Sequence, residues 1–325
     1  MATALATLMS MPSVSLAPHA TPIDELTRLT EALGAASPRV FMKRDDLLSF
    51  GLGGNKVRKM QTVAAEARGA GADTLITAGG LQSNHARVTA ATGAALGCRV
   101  ILVLNGVAEP PLRANARLDE LFGAEIRTVT SREERDATMV AAADEVRAAG
   151  GKPWVVPIGA SNPTGALGFA RGLEEVTAAG LRPDVIVHAS SSAGTQAGLI
   201  AGCALFGLRP RILGVSSDEP AASLAANVEH LLAGMADRLG AKPASISGDR
   251  APEVDERQVG DGYGISTPAS TEALELVARR EGVLLDPVYT AKAMAGLIAR
   301  VRAGEFSPET TVLFWHTGGQ IGYFA

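Results

Sequence analysis

Short runs of β-branched residues alternate with alanine-rich runs along almost the whole chain. The first kind is typical of strands and the second of helices, so the alternation favours βαβ units and an α/β fold with a mainly parallel sheet. The run VIVHAS at 185–190 is hydrophobic on both faces, as a strand covered by helices on both sides must be. The predicted strands are 40–43, 74–77, 99–104, 125–129, 153–156, 185–189, 211–215 and 311–315, and the predicted helices are 56–68, 84–96, 132–149, 165–179, 194–206, 271–281 and 291–302.

Composition narrows the class of protein and its partners. The 325 residues suffice for two domains or one large α/β unit, and the 46% hydrophobic content indicates a well-packed protein. A net charge of −4 predicts no nucleic-acid partner. The two cysteines, Cys98 and Cys203, each lie in an apolar run, which predicts buried thiols in a reducing compartment. No spacing of His, Cys, Asp and Glu indicates a metal site.

Two further segments carry no chemistry but bear on location and fold. Residues 1–18 lack the positive start of a secretory signal and the length of a membrane span. They are predicted to form a partly ordered N-terminal arm on a cytoplasmic protein without a membrane partner. Residues 245–259 are polar and contain Pro, Gly and Asp, so an irregular connection is predicted there.

The segment KRDDLLSFGLGGNKVRK at 43–59 contains the first candidate for chemistry. Lys56 follows a Gly-Gly-Asn turn at 53–55 and stands at the predicted start of a helix, so the backbone can position its amine. The positive end of the helix dipole favours a neutral amine, which is the form that condenses with an aldehyde. Because Arg58 and Lys59 follow, a solvated basic helix start is the alternative, and for a lysine considered alone it is the default explanation.

Two more candidate segments directly follow predicted strands, where α/β proteins place ligand contacts. Ser83 and Asn84 open a helix, and capping of that helix alone would explain one of them. The segment SSSAGTQAG at 190–198 combines small residues, hydroxyls and a helix start, which is typical of a phosphate-binding turn. It matches neither the G-x-G-x-x-G nor the Walker A pattern, and a plain strand-to-helix turn is the alternative.

Aromatic and glycine-rich turns supply the last candidates. Tyr263 and Tyr289 lie in turns that contain Gly or Pro, where a phenol can donate a proton or cover a planar ligand. Ordinary loop packing is the alternative for both. The segment HTGG at 316–319 follows a strand, and its glycines permit close approach of a ligand to the backbone. A plain turn explains it as well.

Five of these motifs together resemble one family. KRDDL…GGNKVRK, LQSNHAR, SSSAGTQAGL, LLDPVYTAKAMAGL and HTGG are similar, in this order, to motifs of the D-cysteine desulfhydrase and 1-aminocyclopropane-1-carboxylate (ACC) deaminase family, and they span 43–319. The resemblance implies a pyridoxal 5′-phosphate enzyme of fold type II, similar to the tryptophan synthase β subunit. It implies mostly parallel twisted sheets with helices on both faces, in a large domain of residues 1–60 and 164–325 and a small domain of residues 61–163.

The resemblance also implies a role for each candidate. Lys56 would hold the cofactor covalently and move the proton at Cα, while Ser83 would contact the substrate carboxylate or assist that transfer. Asn84 would contact the cofactor's 3′ oxygen, and Thr317 would lie near the ring nitrogen. The implied catalytic residues are Lys56, Ser83, Tyr263 and Tyr289, and the implied cofactor-binding residues are Lys56, Asn55, Asn84, Ser192, Ala193, Gly194, Thr195 and Thr317.

Two positions select a reaction within the family. ACC deaminases resemble one another in carrying Glu after the DPVY tyrosine and Leu in the HxGG turn, where this chain has Thr290 and Thr317. A neutral hydroxyl near the ring nitrogen leaves a weaker electron sink, which elimination tolerates better than opening of a cyclopropane. The expected reaction is therefore elimination from D-cysteine, which yields pyruvate, ammonia and hydrogen sulfide.

Several alternatives stay open at this point. L-Cysteate sulfo-lyase is similar to the same family and fits the same motifs. Gln196, the tail QIGYFA and the segment 104–117 depart from the family pattern, so the exact substrate is not fixed. A pyridoxal-phosphate-binding protein without catalysis and an unrelated nucleotide-binding α/β protein are the alternatives from other classes. The resemblance further implies a homodimer that acts on a small amino acid.

Overall fold

The computed structural model describes residues 2–106, 111–248 and 251–325. Residues 107–110 of the atypical segment 104–117 therefore lie outside the described residues. Within the described parts the strands are β1 (Ile23–Glu25), β2 (Arg39–Arg44), β3 (Thr74–Gly80), β4 (Arg99–Asn105), β5 (Glu125–Val129), β6 (Pro153–Val155), β7 (Val185–Ser190), β8 (Arg211–Ser216), β9 (Glu253–Asp255) and β10 (Thr311–His316). The α-helices are α1 (Ala2–Ser10), α2 (Thr27–Leu33), α3 (Asn55–Gly69), α4 (Asn84–Leu96), α5 (Ala114–Leu121), α6 (Glu134–Ala148), α7 (Pro163–Ala170), α8 (Gly172–Ala178), α9 (Gly194–Leu205), α10 (Ala221–Leu239), α11 (Pro243–Ser247), α12 (Pro268–Glu281) and α13 (Thr290–Arg302).

The strands form two sheets. The first has the order β1-β2-β10-β7-β8-β9, and all of its pairs are parallel except β1 with β2. The second has the order β5-β4-β3-β6 and is parallel throughout. The predicted α/β class with mostly parallel sheets is confirmed. The carboxyl ends of the neighbouring strands β7 and β10 lie side by side at one end of the first sheet, because parallel strands run in the same direction.

Helices cover both faces of the first sheet. Because successive side chains of a strand point to opposite faces, each strand contributes to two cores. On β10, Val312 and Phe314 pack into a core with residues of α12 and α13. Their neighbours Leu313 and Trp315 point the other way, into a core with residues of α7, α8 and α9. Each face thus buries every second residue of the same strand, and the strand reads as continuously hydrophobic.

The structure corrects several details of the sequence-based prediction. All eight predicted strands form, but the short strands β1 and β9 were missed, and β9 lies inside the segment predicted to be irregular. The single helix predicted over 165–179 is two helices, α7 and α8, which meet at Arg171. The N-terminal arm is a helix whose Leu8 is fully buried, and Cys98 is only partly buried whereas Cys203 is buried.

A glycine turn fixes where α3 begins. Gly53 and Gly54 have φ of 73° and 97°, which side chains rarely adopt. A Cβ on Gly54 would lie 2.9 Å from the carbonyl oxygen of Thr317, so only glycine fits this close approach. The amide of Asn55 donates to the same oxygen at 3.1 Å. The start of α3 is thereby fastened to the HTGG turn that follows β10, and the position of Lys56 is set by backbone contacts.

Candidate active site

One cavity of about 340 Å³ gathers almost all of the candidate residues. It lies at the carboxyl ends of β3, β7, β8 and β10, where parallel sheets place ligands. Gly194 does not line it but starts α9 directly behind the lining residue Ala193. The candidates that line it are Asn55, Lys56, Ser83, Asn84, Ser192, Ala193, Thr195, Tyr263, Tyr289 and Thr317. The structure thus brings together residues spread from 55 to 317, while their individual roles stay predictions.

The surroundings of Lys56 favour the neutral form of its amine. Burial lowers the pKa of Lys56 from 10.5 to about 8; Arg87 adds to this and Asp286 opposes it. The sequence argument named the helix dipole as the cause, whereas the structure makes burial the largest one. Lys56 Nζ donates to Asn55 Oδ1 at 3.2 Å, and Asn55 Nδ2 donates to Thr195 Oγ1 at 2.9 Å. Asn55 therefore links the lysine to the turn before α9.

That turn has the geometry of an anion site. Ala193 adopts a φ of 63°, and α9 begins at Gly194. Ser192 Oγ lies 2.8 Å from Ser161 Oγ, which ties the turn to the residues before α7. Small side chains leave the backbone N–H groups at the start of α9 accessible, and the helix dipole favours negative charge there. The arrangement suits a phosphate group.

Lys59 places an amine beneath this turn, where a bound phosphate would favour its charged form, and sequence reasoning missed it. Its side chain is fully buried, and its Nζ donates to the Gly159 carbonyl at 3.3 Å and to Ser161 Oγ at 3.2 Å. A Cβ on Gly194 would lie 2.9 Å from this Nζ. Burial keeps the pKa of Lys59 well below its usual value, and the charge of Lys56 lowers it further. A phosphate bound at the turn would supply the missing counter-charge, so the residues present fit that group.

The signal for Lys59 was present in the sequence. Residues three apart share a face of a helix, so Lys56 and Lys59 point to the same side of α3. What the sequence could not show is that this side faces a cavity instead of water. Arg58, between them, points elsewhere and is also buried. The alternative of a solvated basic helix start is wrong for this helix.

The start of α4 serves both of the functions that the sequence left open. Ser83 is the N-cap and its Oγ accepts from the amide of Ala86 at 3.2 Å, so the capping explanation holds for Ser83. Ser83 and Asn84 also line the cavity. The buried Asn115 donates its amide to Asn84 Oδ1 at 3.0 Å and to the carbonyl of Gln82 at 2.8 Å. These bonds orient Asn84, and nothing in the local sequence indicated Asn115.

The two tyrosines form a hydrogen-bonded pair. Their hydroxyl oxygens lie 2.6 Å apart and their rings meet edge to face. Burial raises the pKa of Tyr263, which the bond to Tyr289 partly offsets, and burial raises the pKa of Tyr289 well above its usual value. Both phenols are therefore neutral near pH 7 and can donate a proton. Nearby His85 is neutral as well, since burial and the lysine charges lower its pKa to about 3.

The two threonines used to choose a substrate lie in different surroundings. Thr317 lines the cavity. Thr290 does not appear among its lining residues, and its hydroxyl donates to Asp286 Oδ1 at 2.7 Å inside the protein. The atypical Gln196 is also fully buried, and its amide donates to the Glu253 carbonyl at 2.7 Å. Of these three departures only Thr317 can touch a ligand in the cavity.

Comparison with known proteins gives a consistent result. A family model described as "Pyridoxal-phosphate dependent enzyme" matches residues 14–318. A D-cysteine desulfhydrase of Yersinia enterocolitica is 36% identical over 98% of this chain and 97% of its own length. A putative ACC deaminase of Pyrococcus horikoshii is 37% identical over 98% of this chain and 95% of its own.

Solved structures show the same likeness. An ACC deaminase homologue superposes with a TM-score of 0.90 at 35% identity, over 100% of this chain and 97% of that one. A pyridoxal 5′-phosphate-dependent aspartate racemase, at a TM-score of 0.71 and 16% identity over 98% of this chain and 94% of its own, shares the fold. The predicted family, fold type and cofactor are confirmed. The chain therefore belongs to the D-cysteine desulfhydrase and ACC deaminase family of pyridoxal-phosphate-dependent lyases.

Proposed function

We propose that this lyase catalyses α,β-elimination from a β-substituted amino acid, with D-cysteine as the first candidate. One observation carries the proposal: a lysine with a pKa near 8 shares a cavity with a phosphate-type turn and a pair of neutral phenols. The D-cysteine desulfhydrase among its relatives supports this choice of substrate. In the reaction the Cα–H and Cβ–S bonds break and the sulfur leaves as hydrogen sulfide. The three-carbon remainder takes up water to give pyruvate and ammonia.

Different residues around Lys56 would bind different parts of the cofactor. When bound, pyridoxal phosphate supplies the electron sink for the pair released at Cα. The turn at 192–195, with Lys59 beneath it, would bind its phosphate. Asn55, Asn84 and Thr317 would orient the ring, and Lys56 would attach it and then carry the proton at Cα.

The substrate side of the cavity has its own groups. The amides at the start of α4, together with Ser83, would bind the α-carboxylate, because a helix N-terminus favours an anion. The Tyr263 and Tyr289 pair would give a proton to the departing sulfur, since both phenols are protonated near neutral pH.

Assembly and location extend the proposal beyond the site. None of the helices in the described ranges is long and apolar enough to cross a membrane. We propose a cytoplasmic homodimer, in keeping with the family that the sequence resembles. We also propose that residues 1–60 with 164–325 and residues 61–163 act as two domains. The four-stranded sheet lies wholly within the second of them, although a boundary at 60 would fall inside α3.

The test is keto acid release from D-cysteine, L-cysteine, D-serine, β-chloro-D-alanine, L-cysteate and ACC. We expect D-cysteine to be converted and Lys56→Ala to lose at least about 10³-fold in kcat, because covalent attachment and the Cα base are both removed. Exposed Lys152→Ala is the matched control and should be fully active. Undiminished activity of Lys56→Ala would reject the assignment. Release from ACC alone would favour the deaminase alternative, and cofactor binding without keto acid from any of the compounds would favour a non-catalytic protein.

A further inference from the structure

Lys292 is a buried lysine of α13 that the proposed elimination does not use. Its side chain is fully buried, and its Nζ donates to three backbone carbonyls, those of Ser217 at 3.0 Å, Val259 at 2.8 Å and Gly262 at 2.9 Å. An ammonium has three N–H donors, so these bonds use all of them. Burial lowers the pKa of Lys292 and the charge of Asp218 opposes this, while acceptors on all three donors favour the charged form.

The chain segments that this ammonium joins each carry a residue that lines the cavity. Asp218 directly follows the first of the three carbonyls, and Tyr263 directly follows the third, in the loop 259–264 between β9 and α12. The third lining residue is Tyr289, the N-cap of α13, three positions before Lys292. Lys292 thus lies where the segments after β8, after β9 and at the start of α13 meet.

The loop 259–264 has few other hydrogen bonds to fix its position. Within it, the amide of Gly262 donates to the carbonyl of Val259 at the long distance of 3.3 Å. The bonds from Lys292 to these same two residues are shorter, and the charge on the donor strengthens them. Among the described residues, the only other hydrogen bond from the loop to a distant segment joins the hydroxyls of Tyr263 and Tyr289. The place of the Tyr263 phenol therefore depends on Lys292.

We propose that Lys292 is a positioning residue for the phenol pair: its ammonium holds the loop 259–264 against the start of α13, and so keeps Tyr263 within hydrogen-bond distance of Tyr289. The inference rests on the proposed elimination, in which this pair gives a proton to the departing sulfur. Proton transfer requires hydrogen-bond distance and a fixed orientation. Displacement of the loop would therefore slow the reaction and leave the phosphate-type turn at 192–195 in place. Lys292 does not appear among the residues that line the cavity, so it acts through the phenols.

A double-mutant cycle separates positioning from a general effect on the fold. Lys292→Met keeps a long unbranched side chain but has no donor. We expect kcat for D-cysteine to fall at least about tenfold in Lys292→Met and in Tyr263→Phe, with less than about a twofold change in the Kd for pyridoxal phosphate. In the double variant, Lys292→Met should add less than about twofold to the loss of Tyr263→Phe, because both changes act on the same phenol. Arg302→Met, at an exposed position of the same helix, is the control and should keep full activity.

Amide hydrogen exchange tests the same inference without any turnover. It is followed by mass spectrometry on the holoenzyme. Exchange in the loop 259–264 should be at least about tenfold faster in Lys292→Met than in the wild type, because local opening no longer breaks bonds to a charged donor. Arg302→Met should exchange there at the wild-type rate. Peptides of α9 should be unchanged in both variants, since Lys292 does not contact that helix through any hydrogen bond among the described residues.

Two results would overturn the inference. If the losses of the two single variants multiply in the double variant, Lys292 supports the fold in general, and if exchange in the loop is unchanged, the ammonium does not hold it. Should Lys292→Met fail to fold, Lys292→Gln takes its place in both experiments, because its amide keeps two N–H donors, and it should show the same pattern with smaller losses. If the wild type releases no keto acid from any amino acid, the proposed elimination fails, whereas the exchange rates still decide the role of Lys292.

Discussion

Helix α3 carries buried positive charge on two sides, and the two sides differ in what they meet. Arg58 donates to Asp45 and to Glu175, each at 2.7 Å, and the buried Lys43 joins the same carboxylate of Glu175. On the opposite side Lys56 and Lys59 donate only to uncharged oxygens among the described residues.

The pKa values express the same contrast. Burial alone would raise the pKa of Glu175, but Arg58 and Lys43 outweigh it and lower it to about 2. Asp45 and Glu175 likewise keep Arg58 charged against the cost of its burial. Burial instead lowers the pKa of both lysines. Charges that are paired inside the protein stabilise the fold, whereas charges left unpaired beside a cavity are available to a ligand.

Removing the paired charge should have the largest effect. Arg58→Met should lower the free energy of unfolding by about 3–5 kcal/mol, because Asp45 would keep a buried carboxylate without its cation. Denaturant unfolding measures it. Arg238→Met breaks a more exposed ion pair, with Glu66 of α3. It should lower the free energy of unfolding by no more than about 1 kcal/mol. Equal effects of the two variants would contradict the distinction.

The pH dependence of stability probes the unpaired side. Lys56 has a folded pKa of about 8 and an ordinary value of 10.5, so between these pH values the unfolded chain binds more protons than the folded one. The free energy of unfolding of the cofactor-free protein should therefore rise with pH over that window, by about 1–3 kcal/mol from this residue. Lys56→Met should lack this part of the rise, and identical curves for both proteins would show that the amine is not desolvated.

Lys59→Met should have the smallest effect and the opposite sign on stability. Removing a buried amine without an acidic partner should leave the cofactor-free protein as stable as the wild type or up to about 2 kcal/mol more stable. The variant should raise the Kd for pyridoxal phosphate about 10–100-fold, because a phosphate bound at the turn 192–195 would lose its positive counter-charge. Cofactor titration followed by absorbance measures this, with Lys152→Met as control. A loss of stability as large as that of Arg58→Met would make Lys59 structural.

Sequence reasoning succeeded where the signal is local. The pattern of hydrophobic residues located eight of the ten strands in the described residues, and strands such as β4 and β10 are covered on both faces and read as continuous apolar runs. The glycines at 53–54 marked a turn that only glycine can make, and the small residues at 190–198 marked the start of α9. It failed on β9, because two of its three residues are acidic and it pairs with β8 alone.

The candidate site divides in the same way. Lys56, Ser83 and the turn at 192–195 are recognisable because each directly follows a strand or opens a helix. Asn115 gave no such sign, and Lys59 gave only a helix face shared with Lys56, since both contact partners distant in the sequence. The substrate argument from Thr290 also depended on its surroundings, which place its hydroxyl on Asp286 and away from the cavity.

By itself the sequence determined the α/β class, the order of the motifs and the family that they resemble, because hydrophobic period, turn chemistry and motif identity are properties of neighbouring residues. Only the tertiary structure decided which charges are paired. Arg58 meets Glu175 across 117 residues, and Lys59 meets Ser161 across 102. Both the pairing of a charge and its pKa depend on burial and on distances between such remote segments, and these exist only once the chain has folded.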